Sequence, residues 1–299
     1  MIKVGTDFSG IGSPEAALRR LGIPHDLIFG CEIDKYARKS YSELNFPDII
    51  YDDITTRDYE EVPELDLYVA GFPCQSFSVA GKRAGFDDTR GTLFFNVAEF
   101  IKINQPKCFI LENVKGLLSH DNGRTYQTIT DVLTNGGGTL NSQMGMDTID
   151  DGLGYHVYNQ VLNTKDYGIP QNRERIFIVG FKYYRDFRFP KKMELKLRLK
   201  DLLEAAVDEK YYLSDKMKSH ILTPSKGDWK TSNLELDRDV ALCINARVFK
   251  MAKADTDNYI SVDKSIKRLT PLEVRRLNKP LENGKQPFQQ DRIYDIGGI

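Results

Sequence analysis

Paired cysteines are missing from this chain. Its four cysteines (Cys31, Cys74, Cys108 and Cys243) are scattered, with no CxxC pair. That argues against a zinc site and against a disulfide framework, and no metal is expected. Long apolar runs are missing too: none approaches the ~20 residues that a membrane span needs, so no membrane partner is expected. The opening Met1-Ile2-Lys3-Val4-Gly5 is strand-like and lacks a signal-peptide pattern, which predicts an intracellular, cytoplasmic protein. Net charge is nearly absent at −1, so a nucleic-acid binder would have to concentrate its positive charge locally. No internal repeat is evident, and tryptophan occurs once, at Trp229.

What is present suffices for a large domain, a smaller one and a substantial core: 299 residues, 40% hydrophobic and 28% charged, the balance of an ordinary globular protein. Ile2 to Phe8 is a short apolar run leading into Ser9-Gly10-Ile11-Gly12, and Pro14 to Leu21 reads as a helix with Ser13 as its N-cap. This is strand, glycine turn, helix. Glu15 stands where the dinucleotide fingerprint has its third glycine, so a tight turn explains the glycines equally well. Leu27 to Ile33 is a second apolar run, and Glu32 within it lies 20 residues after Gly12, a spacing at which a carboxylate can bind a ribose diol. Asp34 to Leu44 reads as a helix and Ile49 to Tyr51 as a brief third strand. Asp53 then lies near where an adenine would sit, although a turn aspartate explains it about as well.

Leu65 to Ala70 reads as a buried fourth strand that runs into Gly71-Phe72-Pro73-Cys74-Gln75-Ser76-Phe77-Ser78. A thiol in a polar loop at the carboxyl end of a buried strand is placed like a nucleophile. On position alone, a small buried cysteine is the better reading, because most cysteines are core residues. Cys31 and Cys108 sit in apolar runs and read as inert. The loop after Cys74 is long, glycine-punctuated and basic at its tip (Lys82, Arg83, Arg90), and loops of this length are usually functional or disordered. Thr92 to Ile103 reads as a helix, Cys108 to Leu111 as a strand ending in Glu112-Asn113-Val114, and Tyr126 to Leu133 as a helix. A glycine-rich polar insertion runs from Asn135 to Gly154. Tyr155 to Leu162 and Ile176 to Val179 read as strands, separated by the polar turn Gly168 to Arg175. Lys182 to Lys200 mixes eight basic residues with Tyr183, Tyr184, Phe187 and Phe189, which suits a polyanion surface, while a solvated linker explains it equally well.

Alternating strands and helices predict an α/β fold, a doubly wound and mostly parallel sheet over about the first 181 residues. Such sheets bind ligands beyond the carboxyl ends of their strands. Gly10, Glu32, Asp53, Cys74 and Glu112 all fall at those ends. The first three suit a nucleoside-bearing cofactor; the last two are a thiol and a carboxylic acid.

At this point the sequence resembles the DNA cytosine-5 methyltransferases of bacteria and phages. Asp7-Phe8-Ser9-Gly10-Ile11-Gly12 is similar to the family's first motif, and Gly71 to Ser78 to its nucleophile motif. Arg90-Gly91-Thr92-Leu93-Phe94, Glu112-Asn113-Val114, Gln171-Asn172-Arg173-Glu174-Arg175 and Arg268-Leu269-Thr270-Pro271-Leu272-Glu273 follow in the family's order. The resemblance implies a Rossmann-like class I methyltransferase fold with S-adenosyl-L-methionine as methyl donor, held by Phe8, Gly10, Ile11, Gly12, Glu32, Ile33, Asp53, Ile54, Pro73 and Leu93. It implies Cys74, Glu112, Arg173 and Arg175 as catalytic residues. Gln75, Ser76, Lys82, Arg83 and Arg90 are implied in contact with double-stranded DNA, the loop closing over a flipped-out cytosine. Three regions are expected: a catalytic domain over 1–181, a target-recognition domain over 182–267, and a return to the catalytic domain over 268–299. A monomer is expected, in a bacterial or phage-infected cell, with a cognate restriction endonuclease as a partner in the same system.

The family's tenth motif, a Gly-Asn pair with an apolar helix, is not found after Leu277. That predicts an incomplete last region and reduced S-adenosylmethionine affinity. Two alternatives follow: a catalytically impaired DNA-binding remnant, and a cytosine-5 methyltransferase acting on transfer RNA.

Overall fold

The structure is a computed structural model that describes residues 1–73, 93–134, 152–222, 234–245, 248, 256–263 and 265–278. Cys74, Gln75, Ser76, Lys82, Arg83, Arg90 and Trp229 lie outside the described residues, as do most of the expected insertion and everything beyond Asn278, where the tenth motif was sought.

The strands are β1 (Ile2–Asp7), β2 (His25–Cys31), β3 (Ile49–Tyr51), β4 (Leu67–Ala70), β5 (Cys108–Val114), β6 (His156–Asn163), β7 (Gln171–Asn172), β8 (Glu174–Phe181), β9 (Ala241–Leu242), β10 (Tyr259–Val262) and β11 (Ser265–Arg268). The helices are α1 (Ser13–Arg20), α2 (Lys35–Asn45), α3 (Leu93–Asn104), α4 (Arg124–Leu133), α5 (Asp215–Leu222) and α6 (Pro271–Asn278).

Seven strands form one sheet in the order β3-β2-β1-β4-β5-β8-β6. The first five are parallel. β8 runs against β5, pairing Cys108 with Phe181 and Val114 with Arg175. The order reverses at β1, which is the switch point of a doubly wound fold. Helix α3 buries Phe94, Val97, Ala98, Phe100 and Ile101, and these pack with Phe29, Tyr68 and Leu111 in the main core. An Asp34 carboxylate that accepts from the N–H groups of Tyr36 and Ala37 caps α2. The start of α1 differs from expectation: Gly12, not Ser13, is the N-cap, in the left-handed region at φ 93°, and no side chain caps the helix. The position suits glycine twice over, by its positive φ and because a Cβ there would stand 2.2 Å from Asn45 Nδ2.

The chain divides into two compact units. The first comprises Met1–Val161 and Arg175–Phe189; the second comprises Leu162–Glu174 and the described residues from Pro190 onward. The eighth-motif segment is therefore shared between units. So is the basic stretch after Phe181: residues 182–189 stay with the sheet, leaving it beside the start of β5, while 190–200 belong to the second unit.

In the second unit β7 pairs with β9, and β10 with β11. Its core gathers Leu199, Leu202, Leu213, Tyr259, Ile266 and Leu277. Lys267 and Glu273 form a buried ion pair at 2.7 Å, and Glu273 also accepts from the backbone N–H groups of Glu204 and Thr270. Gln171 is buried and accepts from the Ile244 N–H. No described helix is long and apolar enough to cross a membrane.

Candidate active site at the carboxyl edge of the sheet

Parallel register decides which residues meet. Asp7 pairs with Cys31 and Ala70, Cys31 with Tyr51, and Ala70 with Leu111. The loops after β1, β2, β3, β4 and β5 therefore leave the same edge. The structure thus brings together Phe8–Gly12, Glu32–Ile33, Asp53–Ile54, Gly71–Pro73 and Glu112.

The loop after β1 is a tight crook, with Phe8, Gly10 and Gly12 all at positive φ (54°, 55° and 93°). Ser9 ties it to β2: its N–H donates to the Cys31 carbonyl and its Oγ accepts from the Cys31 N–H, both at 3.0 Å. The Glu32 carboxylate closes the front, accepting from Gly10 N–H at 2.8 Å and Asp34 N–H at 2.9 Å. Ile33 beside it is 73% exposed. Arg38 Nη1 reaches back to the Glu32 and Ile33 carbonyls at 2.5 and 3.1 Å. Behind the crook, Glu15 is fully buried and accepts from Thr6 Oγ1 (2.8 Å) and Tyr41 OH (2.5 Å). The Ile11 carbonyl accepts from Asn45 Nδ2 at 3.2 Å.

Asp53 Oδ1 accepts from Thr55 N–H and Oγ1, both at 2.8 Å, so part of its capacity goes to a local turn. Ile54 is buried, and its carbonyl accepts from Tyr59 OH. Leu93 begins α3 and packs against the core.

Glu112, two residues before the end of β5, lies on the same face as Arg175 of β8, because Phe177, two residues along from Arg175, is its direct partner. Arg175 Nε donates to Glu112 Oε1 at 2.9 Å. Glu112 Oε2 stands 3.6 Å from where a Cβ on Gly71 would be. Asn113 Nδ2 donates to the Phe72 carbonyl at 2.9 Å, fastening Gly71–Pro73 to the end of β5. Phe72 is buried against Phe94, and Pro73 is exposed. Arg173 belongs to the second unit, where its Nη1 lies 3.6 Å from Cys243 Sγ.

One cluster was not anticipated from the sequence. The Asp7 carboxylate takes both terminal nitrogens of Arg57 at 2.8 Å and the Tyr68 hydroxyl at 2.5 Å, with Asp7 and Arg57 side chains wholly buried. Phe29, Phe100, Tyr51 and Tyr59 surround the guanidinium, with ring centroids 4.4, 4.7, 5.1 and 5.3 Å away. The available signal was an aspartate ending a buried strand, which needs a partner. Burial, and then the Asp7 charge, push the Tyr68 hydroxyl well above the usual tyrosine range and the Cys31 thiol above the usual thiol range.

The residues fit a nucleoside-bearing group: a Cβ on Gly10 would meet nothing within 4 Å among the described residues, and an acid and an exposed apolar side chain stand beside it. Among the described residues no group of three or more His, Cys, Asp or Glu could hold a metal ion.

Comparison with known proteins completes the picture. Residues 3–144 and 146–280 match the family described as C-5 cytosine-specific DNA methylase. The type II methyltransferase M1.ScrFI of Lactococcus lactis subsp. cremoris is 38% identical over 300 residues, covering 96% of this chain and 71% of its own length. M.NgoBI of Neisseria gonorrhoeae is 40% identical over 274 residues, covering 90% of this chain and 80% of its own. Among solved structures, the Dnmt2 methyltransferase of S. pombe superposes with a TM-score of 0.70 at 18% identity, covering 99% of this chain and 93% of that one, a likeness of fold.

Proposed function

The chain belongs to the C-5 cytosine-specific DNA methylase family, and from that premise we propose that it transfers a methyl group from S-adenosylmethionine to carbon 5 of a flipped-out cytosine in duplex DNA through a covalent Cys74 adduct. The observation that carries this reading is the Glu112–Arg175 pair at the end of β5, with the segment entering the Cys74 loop fastened beside it by Asn113.

Carbon 5 of cytosine is too weak a nucleophile to take a methyl group unaided. The Cys74 thiolate adds to carbon 6, and the displaced electron pair makes carbon 5 enamine-like, which is covalent catalysis. Glu112 donates a proton to ring nitrogen 3 as the thiolate adds, neutralising the charge that develops there, and its other oxygen accepts from the exocyclic amine. Arg175 fixes the direction of the Glu112 carboxylate. The resemblance to the family gives Arg173 the role of favouring the thiolate. When bound, S-adenosylmethionine supplies an electrophilic methyl group. Glu32 would hold its ribose hydroxyls, the bare side of Gly10 would let the backbone approach, and Ile33, Asp53 and Ile54 would take the adenine; Phe8, Ile11, Gly12, Pro73 and Leu93 would line the rest. After transfer a base removes the carbon-5 proton and Cys74 is eliminated.

Carbon 6 is inaccessible inside a duplex, so the base leaves the stack, and the resemblance gives Gln75, Ser76, Lys82, Arg83 and Arg90 the contacts with the DNA. Residues 182–267 carry target recognition in this reading. Neither a transfer-RNA substrate nor an inactive remnant is favoured by the relatives found.

Trapping on duplex DNA containing 5-fluorocytosine tests the assignment, because no proton can leave the fluorinated carbon. Wild type is expected to form a covalent complex and Cys74→Ser none. An adduct that survives Cys74→Ser overturns the role given to that thiol.

A further inference from the structure

We propose that Arg57 is a positioning residue for the methyl donor: its buried fork with Asp7 holds three cofactor-bearing loops in one register. The proposal rests on the cofactor reading above and adds a residue that touches no ligand.

Asp7 is the last residue of β1 and directly precedes Phe8, whose φ of 54° is rare for a non-glycine residue. Such a conformation persists where its surroundings over-determine it. Arg57 follows Asp53 and Ile54 in the segment after β3. Tyr68 lies on β4, just before Gly71–Pro73. One carboxylate thus anchors the crook after β1, the adenine-side segment after β3, and the strand that delivers the Cys74 loop. The Arg57 and Asp7 side chains are both 0% exposed, so neither can reach the cofactor. The fork is rigid because both carboxylate oxygens are engaged and four aromatic rings surround the guanidinium.

Stability alone does not account for the cluster. Burying two charges removes both from water, and well-packed apolar side chains of similar volume commonly do as well or better. Arg57 Nε is in addition buried with no hydrogen-bond partner. What an apolar replacement cannot supply is direction: a planar fork fixes the angle between two chain segments. Pre-formed loops bind their ligand without first being ordered, and that is where affinity is gained.

The discriminating experiment is the double replacement Asp7→Leu with Arg57→Met, followed by thermal melting and by calorimetric titration with S-adenosylhomocysteine. The expected result is a melting temperature lowered only by what the Tyr68 hydroxyl loses with its acceptor, and affinity weakened about tenfold or more. In steady state the KM for S-adenosylmethionine rises while kcat at saturation stays within about twofold. Affinity within about twofold of wild type in the folded double variant overturns the proposal. If the double variant does not fold, Arg57→Lys and Tyr68→Phe carry the test: lost affinity at retained melting temperature in either one supports the role, and wild-type affinity in both overturns it. A wild-type protein that binds no S-adenosylhomocysteine fails at an earlier point, refuting the cofactor reading and, with it, the positioning role.

Discussion

At the scale of single residues, the cysteines separate by environment. Burial raises the Cys108 thiol to about 11, and burial followed by the Asp7 charge pushes Cys31 higher still. The thiolate is the reactive form, so at pH 8 a thiol near 11 presents it in only about one molecule per thousand. Brief treatment with iodoacetamide at pH 8 is expected to leave Cys31 and Cys108 unmodified in the native protein and to label both after unfolding. Raising the pH toward 11 brings Cys108 into reaction before Cys31. Native labelling of Cys31 at the rate of a free thiol would contradict the structure. The sequence made these two thiols legible as inert, since each lies in an apolar run. Glu112 was legible as well, because a carboxylate ending a buried strand faces the ligand edge. Arg57 was not: its partner is 50 positions away, and nothing local marks a lone arginine as buried.

Elements depart from expectation where a neighbour far along the chain decides the backbone. Serine before proline is a strong helix-start signal, yet Gly12 caps α1, at a positive φ and with Asn45 of α2 standing where a Cβ would be. Two glycines of one crook should therefore respond differently. Gly12→Ala puts a methyl group at positive φ and into the Asn45 amide, and is expected to lower stability by about 2–3 kcal/mol, read by urea denaturation. Gly10→Ala meets no neighbour within 4 Å among the described residues and pays only the positive-φ strain, about 1 kcal/mol, while placing a methyl group at the front of the crook. Its main effect is expected on S-adenosylhomocysteine affinity. Equal stability losses with unchanged affinity would refute this division. The parallel strands were readable from their apolar runs to within a residue or two at most ends. The direction of β8 was not, because periodicity carries no polarity. It is that reversal which places Arg175 beside Glu112 and starts the basic stretch at the opposite edge.

Over the whole molecule, tyrosine burial dominates the response to alkali. Tyr41, Tyr59, Tyr68 and Tyr155 are buried, Tyr51 and Tyr126 are partly so, and burial raises the hydroxyl of each above its ordinary value. An unfolded chain ionises tyrosine near ~10, whereas the native state keeps these groups neutral, so above that pH the unfolded state holds fewer protons. The stability due to the neutral form is complete below ~10 and is lost as pH rises from there toward the folded values. Absorbance at the phenolate band should show these six hydroxyls ionising only with cooperative unfolding. Reversible titration of all of them in the folded protein would refute this.

The strand order has one further consequence, for a chain still being made. β8 lies between β5 and β6 but is the last of the three to leave the ribosome. Until it emerges, the outer edge of β5 presents unpaired backbone groups on an otherwise formed sheet, and β6 has no neighbour to hold it. Such an edge invites pairing with another nascent copy on the same polysome, so the interval before Phe181 is synthesised is when this protein most needs a chaperone.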